Sequence, residues 1–154
     1  MMRSSLIEKI KENTILEIKG IKYEVKSKVC YYTENSPLDY YFKIKFTNDM
    51  VLVISEDLAT ILLGKEVYLE EVIEFSSQNE IIYDSERYVL VTSDYQFVKY
   101  IEFGNYGEYE TECRFMDYAN EDESKIISLG INTFTNKRED VYAEKIKPSE
   151  LRVI

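Results

Sequence analysis

The chain has 154 residues, a formal net charge of −10 and no histidine. Its composition, 45% hydrophobic and 31% charged, excludes a disordered chain, and a chain of this length buries about 70% of its unfolded surface without covalent staples. The acidic surplus works against binding a phosphate backbone, and the lack of histidine removes the commonest general base, metal ligand and pH switch.

Tyrosine is frequent at 14 residues while glycine and proline number 5 and 2, a balance that favours strands. The length fits a single domain over 1–154, with 14–76 and 80–147 as the β subdomains into which it would divide. Residues 1–45 carry 9 Lys and Arg against 6 Asp and Glu, so that end reads either as a small basic face or as ordinary solvated lysines. Cys30 and Cys113 lie far apart with no CxxC spacing, and the start lacks the apolar stretch of a signal peptide. No window approaches the roughly 20 apolar residues of a membrane-spanning helix. A cytoplasmic location is the expectation.

In chain order, Ser5 and Glu8 fit a capping box, and Leu6, Ile7 and Ile10 predict a helix of about two turns ending before Thr14. Period two follows, with a turn at Lys19-Gly20. Beyond it, alternation puts Tyr23, Val25, Val29 and Tyr31 on one face and Lys22, Glu24, Lys26, Lys28 and Cys30 on the other. Ser36-Pro37 is turn chemistry. Next, Tyr40, Phe42, Ile44 and Phe46 form an apolar row, while Tyr41, Lys43, Lys45 and Thr47 form a polar one that reads as surface. Asn48-Asp49 predicts a tight turn into the strand MVLVIS. Residues 58–75 fit either helical turns (Leu58, Ile61 and Leu62, then Leu69, Val72 and Ile73) or, with Gly64 breaking any long helix, two short strands at 59–63 and 66–75, and 76–80 reads as a linker.

The second half is also extended. A hairpin turns at Asp84-Ser85, and another has a loop over Gly104-Asn105-Tyr106-Gly107. On its return strand Tyr109, Thr111, Cys113 and Phe115 share one face, and Glu108, Glu110, Glu112 and Arg114 the other. An acidic turn, the closing strands KIISLGI, TFT and EDVYAEKI, and a final helical turn at Pro148 complete the reading. Segments 22–31 and 94–103 show a faint likeness, as any two amphipathic strands would.

Gly20, Tyr23-Glu24-Val25, the step Asp39-Tyr40-Tyr41-Phe42, Asp117-Tyr118, and Tyr142-Ala143-Glu144 with Pro148 and Glu150-Leu151 together resemble a bacterial family, domain of unknown function 4178. That family often has tryptophan before the acidic-aromatic step and again on the next strand. Here Leu38 stands in the first place and Leu52 or Val53 near the second. The resemblance implies a small β-rich bacterial domain and no established catalytic activity.

Few residues are equipped for chemistry. A Ser-His-Asp or Cys-His arrangement cannot form without histidine, and neither GxxxxGK[ST] nor GxGxxG occurs. Glu121-Asp122-Glu123 lacks the oxygen spacing and glycine of a calcium loop. Glu70, Glu71 and Glu74 have no neighbour that would split their pKa values. Cys30, beside Lys26 and Lys28, reads as a thiolate candidate or a plain strand cysteine. The row Glu108, Glu110, Glu112 is either matched by strand lysines across the sheet or an acidic patch for a basic partner.

The expected fold is all-β and mainly antiparallel: two linked small sheets or a split β-barrel with a short N-terminal helix. The expected function is non-catalytic, a protein-binding accessory domain of a bacterial cytoplasmic system. Its contact surface would be Tyr41, Lys43 and Lys45 with Tyr106, Glu108, Glu110 and Glu112. The alternatives are an immunity-type inhibitor with an acidic face and an enzyme with a closed polar pocket. No cofactor or metal is expected. The expected partner is a protein, with no nucleic acid and no direct membrane insertion, and exposed edge strands would allow a homodimer.

Overall fold

The computed structural model describes residues 5–75, 78–104 and 112–154. Helix α1 (Ser5–Lys9) precedes strands β1 (Ile15–Ile18), β2 (Ile21–Thr33), β3 (Tyr41–Phe46), β4 (Met50–Ser55) and β5 (Ile61–Val67). The second half holds β6 (Glu80–Tyr83), β7 (Glu86–Phe103), β8 (Glu112–Ala119), β9 (Lys125–Asn132) and β10 (Asp140–Lys145). After a single 3-10 turn at Pro148–Glu150 comes β11 (Leu151–Val153).

Each strand pairing is antiparallel, and β2, β3, β4, β5, β10, β9, β8 and β7 close into one eight-strand ring when β7 pairs back onto β2. β1 and β11 continue outward from β2, and β6 from β7. The all-β, antiparallel class and the single short helix match the sequence reading. The two linked sheets do not, and the barrel of the other alternative is closed, not split: two seams, β2–β7 and β5–β10, join the halves into one ring. Both seams pair strands far apart in the chain, and local alternation carries no trace of such pairings.

The halves repeat one plan. A four-residue strand, a two-residue turn of positive φ and a long strand open each one. The turns are Lys19-Gly20 and Asp84-Ser85, and buried Tyr23 and Tyr88 sit at the same place after them. Each long strand then carries a register shift, at Lys26 in β2 and at Val91 in β7. The structural correspondence thus sets Tyr23 against Tyr88, out of step with the likeness of 22–31 to 94–103.

Each such bulge inverts the parity of the residues beyond it up to the next shift, and β7 has two more, at Lys99 and Glu102, where it pairs with β2. Val25 pairs with Phe46 and, one extra residue later, Lys28 pairs with Ile44 and Cys30 with Phe42. Lys28 and Cys30 therefore share the face of Val25, while Val29 and Tyr31 pass to the opposite one. Strict alternation had placed Lys28 among exposed lysines; it is fully buried. Its Nζ donates to the carbonyls of Ile7 (2.7 Å) and Ile10 (3.1 Å) and pairs with Glu102 at 2.5 Å. It adds a second donor to the Ile7 carbonyl, which already accepts from the Ile10 N–H at 3.2 Å, and so ties the end of the helical segment to β2. The helix itself is shorter than predicted, because Asn13 (φ 67°) already turns the chain toward β1 and donates its N–H to Val25.

The two larger apolar cores lie outside the ring, and a small third cluster, Val29 and Tyr31 with Tyr41, Val98 and Ile101, lies inside it. One core joins Val25, Cys30, Phe42, Ile44, Phe46, Leu52, Ile54, Ile61 and Leu63 to Ile7 and Ile10 of the helical segment, Leu16 and Ile18 of β1 and Leu151 of β11. A second joins Met116, Tyr118, Ile127 and Leu129 to Ile81, Tyr88, Leu69 and Ile73. Three further expectations are corrected here. Residues 58–75 hold one strand, β5, which runs through Gly64, and then a turn in which Val72 and Ile73 donate to the Leu69 carbonyl and Leu69 and Ile73 are buried. TFT is a turn, because Asn132 Oδ1 accepts from the N–H groups of Phe134 and Thr135, both at 2.8 Å. The C-terminal segment is more than a helical turn: β11 pairs with β1 and fastens the end of the chain to its beginning.

Candidate functional site

With the apolar faces of the strands turned outward, their other faces line the ring. Cross-strand register fixes the set: Lys45, Lys43 and Tyr41 oppose Val51, Val53 and Ser55, and Leu62 and Gly64 continue the row on β5. On the far side, Asp117 opposes Ser128 and Thr92, and Gln96 opposes Cys113. Tyr31 opposes Tyr41 and Thr33 opposes Gln96, which completes the circle. Eight strands leave an interior that side chains either fill or share with one small ligand. Here a lumen of about 340 Å³ remains. Gly64 helps the seam close, since a Cβ there would lie 2.6 Å from the Tyr142 carbonyl and 2.7 Å from Ala143 Cβ.

The lumen has two kinds of wall. Val51, Val53, Leu62, Ile126, Val141 and Ala143, from β4, β5, β9 and β10, form an apolar one. The other is polar and aromatic. Tyr31 and Tyr41 stack with centroids 5.5 Å apart, and Lys43 Nζ stands 4.8 Å from the Tyr31 ring centroid, a favourable cation–π arrangement. The Tyr41 hydroxyl donates to Gln96 Oε1. Burial, followed by the nearby Asp117, holds the Tyr41 phenol well above its ordinary pKa, so it remains a neutral donor.

Asp117 is the least satisfied group in this wall. Burial raises its pKa, against the opposing effects of a hydrogen bond with Ser128 and the charge of Lys43. Its Oδ1 is buried and has no hydrogen-bond partner among the described residues. Asp117 retains some accessible surface, but that surface faces the lumen. A buried polar atom without a partner costs about 1–3 kcal/mol, and one facing a cavity is in position to take a hydrogen bond from an occupant.

Both ends of the lumen are polar. Thr33, Ser36, Asp39, Ser55 and Thr60 ring one of them. At the other, Lys45 pairs with Glu66 at 3.6 Å, and these two with Glu139 also border a wider external groove of about 820 Å³. There Arg138 and Asp140 form a buried ion pair at 2.9 Å, and Arg138 also donates to the Ile73 carbonyl.

Tyr41, Lys43 and Lys45 thus come together as expected, but they face the inside of a barrel, not an outer surface. Glu112 lies on β8 with its side chain on the face opposite to Cys113. Tyr106, Glu108 and Glu110 lie outside the described residues. Glu121-Asp122-Glu123 is a turn, held by Asp122 Oδ1, which accepts from the N–H and hydroxyl of Ser124. Both cysteines are buried and unpaired with each other. Sequence reasoning missed Asp117, Gln96, Ser128 and Thr92. Asp117 did leave a signal: it continues the parity of Cys113 and Phe115, a face read as core, and a carboxylate on such a face is rarely idle. Of the residues that carry the family likeness, Asp39, Tyr40, Tyr41, Asp117 and Ala143 line the lumen.

Fold and site together define a closed antiparallel barrel with a small amphipathic lumen. No family model, curated protein or solved structure matches the chain. No helix among the described residues is long and apolar enough to cross a membrane.

Proposed function

We propose that this protein is a non-catalytic binding module whose ligand is a small molecule enclosed by the barrel. The observation that carries this reading is the unpartnered Asp117 oxygen in a cavity of about 340 Å³, within the 300–1,000 Å³ range of ligand sites. The division into an apolar wall and a few polar groups is the usual composition of such a site. The family likeness belongs to the same proposal, and with it a bacterial cytoplasmic setting.

Native mass spectrometry of the full chain, purified without denaturant, tests it. The expected spectrum shows a one-to-one adduct that leaves on denaturation. Val53→Phe, which fills the lumen from its apolar wall, should abolish the adduct while the thermal transition persists. A wild-type chain that carries no adduct and gains no stability from any member of a small-molecule library overturns the reading.

A second reading, contact with a protein partner, is favoured by the outer end of the sheet. Strand β6 has β7 as its neighbour and no second partner among the described strands. Beside that edge, Ile82, Val89 and Val91 are exposed. An unprotected edge with apolar neighbours invites another strand, from a partner or a second copy. Sedimentation of wild type and Val89→Glu checks this: a complex or dimer that survives the substitution unchanged uses another surface.

A further inference from the structure

Charge inside the lumen is arranged unevenly. Lys45 is held at the end of the lumen by Glu66, and the acidic Asp39 and Glu139 also stand toward the ends. Lys43 lies deeper, between Tyr41 and Lys45 on the inward face of β3, with the Tyr31 ring against its ammonium. Among the described residues Lys43 forms no ion pair. An enclosed ammonium without a counter-ion is costly, and a cation–π contact offsets only part of that cost. Asp117 is close enough to feel this charge, which lowers its pKa, while burial has the larger effect and raises it above the ordinary value. An anion beside Asp117 favours the protonated carboxyl further, and in that form the group has an O–H to donate to it. Beside Lys43, starting from its cross-strand neighbour Val53, runs the apolar wall of Val51, Val53, Leu62, Ile126, Val141 and Ala143.

Resting on the reading of the barrel as a ligand carrier, we infer that its ligand is an amphipathic organic anion, with the anionic head at Lys43 and the apolar body along the β4–β5–β10–β9 wall. The site accepts a head and a short body in one enclosed volume. Its selectivity lies in the head, because Lys43 supplies the charge-assisted bond and the apolar wall grips any aliphatic chain alike.

Titration calorimetry with three compounds of the same chain length, octanoate, octan-1-ol and octylamine, tests head and body separately on the full chain. Octanoate should bind about tenfold or more tighter than octan-1-ol, the margin expected of one charge-assisted hydrogen bond, and octylamine should bind weakest. In Lys43→Met, octanoate should fall to the level of octan-1-ol while the alcohol is unaffected. The comparison of heads in wild type stands even if that variant fails to fold. Octan-1-ol or octylamine binding as tightly as octanoate would overturn the anionic assignment and leave the lumen reading in place. Failure of all three to bind, together with no adduct in the native spectrum, would overturn both.

Discussion

The two faces of the ring follow opposite rules. Outside, Phe42, Ile44, Leu52 and Ile54 are fully buried in a core shared with α1, β1 and β11. Inside, the neighbours of those residues along the same strands, Tyr41, Lys43, Val53 and Ser55, border a cavity with polar groups. Burial of apolar area drives folding, so the outer face holds the barrel together and leaves the inner face able to keep an Asp117 oxygen and a Lys43 ammonium that lack a hydrogen-bond partner and an ion pair, respectively, among the described residues. A small barrel usually packs its interior and solvates its exterior. Here the extra strands and the helix take over the packing from outside, and the interior becomes available.

Adjacent residues of β4 give the sharpest break point for this comparison. Leu52→Ala, in the outer core, should cost about 2–5 kcal/mol of stability in urea unfolding, and Val53→Ala, against the lumen, less than about 1.5 kcal/mol. Equal losses would mean that the interior is packed like the exterior. Next in size is the seam. Gly64→Ala forces a Cβ against the Tyr142 carbonyl, with an expected loss of about 1–3 kcal/mol. A neutral effect would show that β5 and β10 can part without harm.

Asp117 gives a pH signature. Burial raises its folded-state pKa above the ordinary value of 3.8. Between that value and the raised one the folded chain holds more protons than the unfolded chain, so this group makes stability fall as pH rises, and the effect levels off above the folded pKa. Asp117→Asn should therefore match wild type at the acid end of the window and exceed it at neutral pH, as read from denaturation midpoints across the range. A variant weaker than wild type at neutral pH would mean that the charged carboxylate is held favourably. The smallest effect is expected of Tyr41→Phe, which removes the hydroxyl bond to Gln96 at a cost of about 1 kcal/mol. A much larger loss would make that pair a structural strut of the ring.

Much of the strand pattern could be read directly. The turns at Lys19-Gly20, Asn48-Asp49 and Asp84-Ser85 follow from residues that tolerate positive φ, and Phe42, Ile44 and Phe46 follow from period two. Gly64 does stop a long helix, but it does not divide the strand: β5 runs through it, because its lack of a Cβ serves the approach of a distant strand. The site was half visible. Tyr41, Lys43 and Lys45 were recognised as one row, and nothing local distinguishes a polar row that faces water from one that faces a lumen.

Alternation and turn chemistry act between neighbours, so the amino-acid order alone determined that this chain forms antiparallel ribbons, where most of them bend, and which side chains of β3 stand together. Which face became the inside was decided only when β7 met β2 and β10 met β5. The single-residue bulges at Lys26, Val91, Lys99 and Glu102 then set which later side chains joined that face. Ring closure depends on contacts between distant segments, and a bulge reverses the side chains beyond it up to the next shift; neither leaves a period in the sequence.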